Sequence, residues 1–321
     1  MSRYQSLRPR RHLRVLLVAG LLGALLATAT VATNALGVGT RFENLVRRIE
    51  IALDPPPDRP SVPTVLVTPR PTLSATPPAT PSDAPTAPTT SSPTASLTAS
   101  PTAAPTDTPQ PTPARVAVDV NLLPDAERVF ASQITKDWCA PATVQMVLTI
   151  FGRGNVSEAF QRELVSRIDE WESWQDSHDG GWGPSAMVEA LVAYGVTGYE
   201  IRAYETRADA LRDAAGAISD TGSPVVLLAW RGAHAWLMSG YRADADPRLF
   251  PDATVSGAYV LDAWYPRVSS IWGASDPPGT FQDAAEMARN FLPWKRPEGK
   301  YPERDGRFLV LIPTLPFAPG S

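Results

Sequence analysis

Cys139 is the only cysteine in 321 residues, and it sits where the polar run Gln133-Ile134-Thr135-Lys136-Asp137-Trp138 gives way to a helix-like pattern. A thiol attacks as its thiolate, which a helix N-terminus or a neighbouring imidazolium stabilises. The base beside it must be a histidine, oriented in turn by a third polar group. The chain offers His12, His178 and His234. His12 lies among N-terminal arginines, before an apolar run. His178 lies in the hydrophilic stretch Ser177-His178-Asp179-Gly180-Gly181 and reads as a solvated loop residue, kept as a reserve base. His234 opens the apolar run Ala235-Trp236-Leu237-Met238, and Asp262 stands inside Val260-Leu261-Asp262-Ala263-Trp264. A carboxylate is costly to bury there without a partner, and an imidazole on a neighbouring strand is a natural one.

Each residue has a plainer reading. A lone cysteine is most often a small buried apolar residue, His234 could be a hydrogen-bonded strand end, and Asp262 could cap a turn. The coincidence of a helix-start thiol, a strand histidine and a strand acid favours chemistry over packing.

The elements that must position these groups follow from apolar periodicity. After Cys139, Val144, Val147, Leu148 and Phe151 fall on one helical face, with Pro141 in the first turn and Gly152 as a stop. Further helices are expected over Val156–Glu172, from Pro184 to Tyr194, from the capping pattern at Thr206 through Ile218, and over Thr280–Phe291. Short apolar runs at Val225–Trp230, Ala235–Tyr241, Ala258–Trp264 and Phe308–Ile312 read as strands, the first two joined by a hairpin. Helices followed by antiparallel strands indicate an α+β domain over residues 115–321.

The N-terminal third is different in kind. Residues 1–14 form a basic tail, and Val15 to Gly39 contain no charge. An apolar run of about 20 residues suffices to cross a bilayer, and the arginines before it predict a cytoplasmic N-terminus. A cleaved signal peptide is the alternative, favoured by small residues such as Ala27 and Ala29. Either way the remainder is expected outside the cytoplasm. Residues 40–54 read as a juxtamembrane segment with helical spacing. Residues 55–114 hold 18 of the 34 prolines and no aromatic residue. Such a segment cannot bury enough apolar surface to offset chain entropy, so a disordered stalk is expected, reaching on the order of 100 Å or more as polyproline.

Charge narrows the partners. Residues 115–321 carry 19 basic against 27 acidic side chains, net −8, which excludes the basic footprint of a nucleic-acid binder. Asp244, Asp246 and Asp252 lack the glycine and terminal glutamate of a calcium loop, so no metal and no cofactor are expected. Trp171, Trp174 and Trp182, amid acidic residues, either line a cleft or pack a loop onto the core.

The ordered set Gln133, Cys139, His234, Asp262 resembles the papain-like cysteine peptidases, and its local motifs are similar to the C39-like peptidase family. Cys139-Ala140-Pro141-Ala142 resembles that family's Cys-Gly-Pro-Ala motif, Gly232-Ala233-His234 through Gly240-Tyr241 its histidine strand, and Leu261-Asp262-Ala263-Trp264 its Asp-Pro segment. Gly180-Gly181-Trp182-Gly183-Pro184 is similar to its middle loop. The resemblance spans roughly residues 125–315 and implies a papain-like fold, with helices packed on an antiparallel sheet. It also implies Cys139 as nucleophile, His234 as base, Asp262 as its orienter and Gln133 as donor to the oxyanion. Ala140 and Ala263 depart from the family's glycine and proline without removing a functional group. The expected activity is hydrolysis of peptide or isopeptide bonds in a peptide or protein substrate. The alternatives are a non-catalytic module binding peptide or cell-wall material, and a wall-directed endopeptidase or amidase acting on cell-wall peptide.

Overall fold

In the computed structural model, which describes residues 46, 49, 61–68, 113–172, 182–295, 299 and 301–316, the helix expected at the cysteine runs Cys139–Ile150 (α1). Every residue from Ala140 to Leu148 is buried, so this helix is enclosed rather than laid on the surface. Gly152, at φ 68°, ends it. The next pattern is interrupted: Glu158–Ser166 (α2) starts where the Ser157 hydroxyl accepts the Phe160 N–H, and a break at Arg167 separates it from Ile168–Trp171 (α3). Pro184–Ala193 (α4) has its proline in the first turn. Arg207–Thr221 (α5) is capped by Thr206, whose hydroxyl accepts the Asp209 N–H, and it stops at Gly222, φ 66°.

The strands are Thr64–Val67 (β1), Val118–Asn121 (β2), Tyr199–Tyr204 (β3), Val225–Ala229 (β4), His234–Ala243 (β5) and Val255–Asp262 (β6). They are followed by a small ribbon, Val268–Ser269 (β7) with Gly273–Ala274 (β8), and by Thr280–Asp283 (β9) and Phe308–Pro313 (β10). The sheet order is β1-β3-β10-β4-β5-β6-β9. β4 lies along the His234 end of β5, and β2 continues on the same side at its far end. All these pairings are antiparallel except β1 with β3.

The expected layer of helices, α1 to α4, covers one sheet face against Ile201, Val226, Leu237 and Leu311, and α5 with α6 (Ala284–Asn290) covers the other against Leu227, Met238, Val260 and Val310. Burial on both faces explains why β4 and β10 are continuous apolar runs without alternation. The domain is therefore mixed α+β, as the order of elements implied, and it fits a papain-like peptidase.

Three expectations need correction. The helix foreseen over Thr280–Phe291 is half strand: Thr280–Asp283 pairs with β6, and only Ala284–Asn290 is helical. The Asp283 carboxylate accepts the N–H groups of Ala285 and Glu286, which starts the helix there. Strand β3, unforeseen, alternates inward Tyr199, Ile201 and Ala203 with half-buried Glu200 and Arg202. Within the stretch 55–114, residues 61–68 are not part of a disordered stalk but carry β1 along the β3 edge. The expected anchor at 15–39 and basic tail lie outside the described residues, and among the described residues no helix is long and apolar enough to cross a membrane.

Gly240 shows how tightly the sheet closes behind the site. A Cβ there would sit 2.1 Å from the Val120 carbonyl oxygen and 2.8 Å from Asn121 Cα, both backbone atoms of β2. Gly240→Ala must push β2 off β5, at a cost of about 1–3 kcal/mol. Thermal unfolding should show the midpoint lowered by roughly 2–10 °C, and an unchanged midpoint would contradict this packing.

Candidate active site

Cys139 is the first residue of α1. Trp138 before it makes no side-chain cap, and the first turn carries no acid, so the positive end of the helix dipole acts on the thiol without local neutralisation. The side chain is half-buried, with Sγ 4.0 Å from the Ala233 carbonyl oxygen. One turn on, the Thr143 hydroxyl donates to the Ala235 carbonyl at 3.3 Å, fixing α1 across β5.

His234, only 3% exposed, begins β5. The sheet register sets Asp262 opposite Trp236, and the carboxylate reaches diagonally to the histidine, with Nε2 and Oδ1 2.6 Å apart. The same carboxylate oxygen accepts the Trp264 backbone N–H at 2.8 Å. Burial alone would lower the His234 pKa. The negative charges of Asp262 and of the Cys139 thiolate, with hydrogen bonds to both, outweigh it and raise the value from 6.5 to about 9.

The imidazole is also clamped from its face. Trp230 stacks on it with centroids 4.0 Å apart and planes 18° from parallel, and Trp272 stacks on Trp230 at 5.7 Å. The Trp230 indole N–H donates to Asn290 Oδ1 at 3.0 Å. The connecting turn is left-handed at Trp230, Arg231 and Gly232, with φ of 51°, 63° and 84°. Two non-glycine residues in this region carry backbone strain. The turn closes over the Trp294 ring, 2.3 Å from where a Gly232 Cβ would lie.

Gln133 is buried, and its backbone N–H donates to the Ala263 carbonyl, the residue after Asp262. Its amide nitrogen donates to the Thr135 carbonyl at 2.7 Å, so one amide hydrogen is committed within the loop. That loop is knitted from several sides. Gln161 Oε1 accepts the Ile134 N–H, while Gln161 Nε2 donates to the Ser132 carbonyl and to Gln145 Oε1. Arg267 donates to the carbonyls of Ile134 and Thr135. Sequence reasoning missed Gln145, Gln161, Arg267 and Trp230 as supports. The available signal was an amide at an otherwise apolar helix position, in Thr143-Val144-Gln145-Met146 and Ala159-Phe160-Gln161.

The remaining candidates resolve more simply. His178 and Trp174 lie outside the described residues. Trp171 and Trp182 meet edge to face at 5.2 Å and pack against the core, so for these two the packing reading holds. Asp244 and Asp252 bind Arg115, and Asp246 binds Arg248.

A thiol at a helix head thus faces a histidine that an acid holds across the sheet. Residues 127–283 match the model of the Peptidase_C39 like family, the family that the motifs resemble. The matched stretch includes Gln133, Cys139, His234 and Asp262. No curated protein and no solved structure matches the chain.

Two outcomes follow from the geometry. The folded His234 pKa lies above its unfolded value, so the stabilisation it gives is complete below about pH 6.5 and is lost as pH rises through about 9. The stability difference between the native protein and Asp262→Asn, from urea unfolding, should therefore be larger at pH 6 than at pH 10; equal differences would refute the linkage. Gln161→Leu strands the Ile134 N–H and should cost about 1–3 kcal/mol, seen in the same unfolding curves.

Proposed function

We propose that the domain is a thiol hydrolase that cleaves peptide or isopeptide bonds, held outside the cytoplasm by its N-terminal segment. The observation that carries the reading is the 2.6 Å contact between His234 and Asp262, with the histidine coupled by charge to Cys139 at the head of α1. In this reading the Cys139 thiolate attacks the substrate carbonyl carbon, and the π pair moves onto oxygen. The N–H groups of the α1 first turn and the second amide hydrogen of Gln133 receive that charge. Collapse of the tetrahedral adduct breaks the C–N bond as the His234 imidazolium gives its proton to the leaving amine, leaving a thioester. Water then attacks the thioester, neutral His234 takes its proton, and the carboxylic acid departs with Cys139 again a thiolate and His234 again an imidazolium. Asp262 keeps Nε2 oriented and favours the imidazolium.

The substrate is a peptide or protein, as the family indicates, and cell-wall peptide is one such substrate for a domain outside the cytoplasm. The test is the rate of Cys139 alkylation by iodoacetamide at about pH 7, read by mass spectrometry, alongside peptide hydrolysis. His234→Ala should slow alkylation and lower hydrolysis by about 10²–10⁴-fold. Equal alkylation rates in both proteins, with hydrolysis unchanged, would refute activation of the thiol.

A further inference from the structure

Residues 61–68, within the proline-rich stretch, are held by the domain. Residues 64–67 pair in parallel with residues 201–204 of β3, at the edge of the sheet. Two side chains of the domain, each about 1% exposed, bond to this segment. Ser185, at the start of α4, bonds to the Ser61 hydroxyl at 2.9 Å and accepts the Val62 N–H at 3.1 Å. Arg304 donates from Nε to the Thr64 hydroxyl at 3.0 Å. Val62 packs against the same core cluster as α1 and α4. Without the strand these contacts would be lost, and the edge groups of β3 would be open to any other extended chain.

The covalent route between this strand and the rest of the domain is residues 69–112. Closing a loop of that length costs only slightly more than closing a short one, because the cost grows with the logarithm of length. The tether therefore keeps the strand near the edge, and the contacts above decide whether it stays once the tether is cut. We propose that residues 61–68 act as a clasp: the β3 edge binds this segment strongly enough that a chain cut anywhere within 69–112 keeps its N-terminal piece. The Pro/Thr-rich stretch then forms a bypass closed at both ends on the domain. Where residues 15–39 anchor the chain, residues 40–60 alone set the distance from the membrane. The clasp does not depend on the hydrolase reading.

The test uses the full chain in detergent micelles, with an N-terminal affinity tag and a recognition site for a specific endopeptidase inserted after Thr94. After complete cutting, capture through the tag should bring down the C-terminal piece along with the N-terminal one. Val62→Asp places a charge against the core and should reduce the captured C-terminal piece by about tenfold or more. Thr64→Ala, which removes only the Arg304 acceptor, should act in the same direction and covers the case in which Val62→Asp does not fold. Loss of the C-terminal piece from the otherwise unaltered protein on cutting would overturn the clasp. So would undiminished capture with both substitutions, which would place the attachment elsewhere.

Discussion

The structure depends on the pairing of a buried imidazole with a buried carboxylate. A histidine 3% exposed and an aspartate 6% exposed are each expensive to take out of water. At 2.6 Å they satisfy one another, while deleting either partner of such a pair typically costs about 3–5 kcal/mol. That contact exists only if β5 and β6 hold a single register, because a slip of one residue sends Asp262 to the other face. The devices around it serve this end. β5 is paired along both edges, with β4 and β2 on one side and β6 on the other, and Gly240 lets β2 approach to backbone contact. The Trp264 N–H fixes the carboxylate, and the Trp230 ring fixes the imidazole plane.

The second half of the site, the loop before Cys139, is held by amides rather than charges. Gln161 and Gln145 occupy core positions on two helices and use their polar atoms on each other and on backbone groups. A buried polar network is tolerable when its members are satisfied, and it then specifies one arrangement. Gln133 gains its place from this frame and from the Ala263 carbonyl, which ties it to the strand that bears Asp262. The two halves of the proposed site therefore share a backbone contact as well as a substrate space.

What could be read from the chain divides along physical lines. Cys139, His234 and Asp262 were legible because each breaks a local pattern: a thiol at a helix start, and polar residues in apolar strands. Helix starts at Pro184 and Thr206 were legible because a first-turn proline and a capping residue act over three or four residues. Strand β3 was obscured because Arg202 and Glu200 pair on its half-exposed face and lower its apolar content. Strand β9 was obscured because Thr280-Phe281-Gln282 precedes a helix without a glycine or proline between them. Trp230 as a clamp on His234 was not legible at all: the two are four residues apart across a left-handed turn, a backbone state that sequence periodicity does not register.

Strand β1 is the sharpest case of this limit. Thr64-Val65-Leu66-Val67 has strand propensity, but it is bracketed by prolines at 60, 63 and 69 and embedded in a composition that cannot form a core. Val65 and Leu66 remain exposed even when docked, and of the segment's apolar residues only Val62 and Val67 pack against the core, so burial of its own side chains holds it only in part. The rest of its hold comes from donors and acceptors on elements far away in the chain: the β3 edge, Ser185 and Arg304. Composition reports what a segment can bury, not what a distant edge offers it. A low-complexity stretch thus conceals a docked strand whenever the partner supplies most of the interaction, and proline on both sides suits an edge strand, where no second ladder is needed.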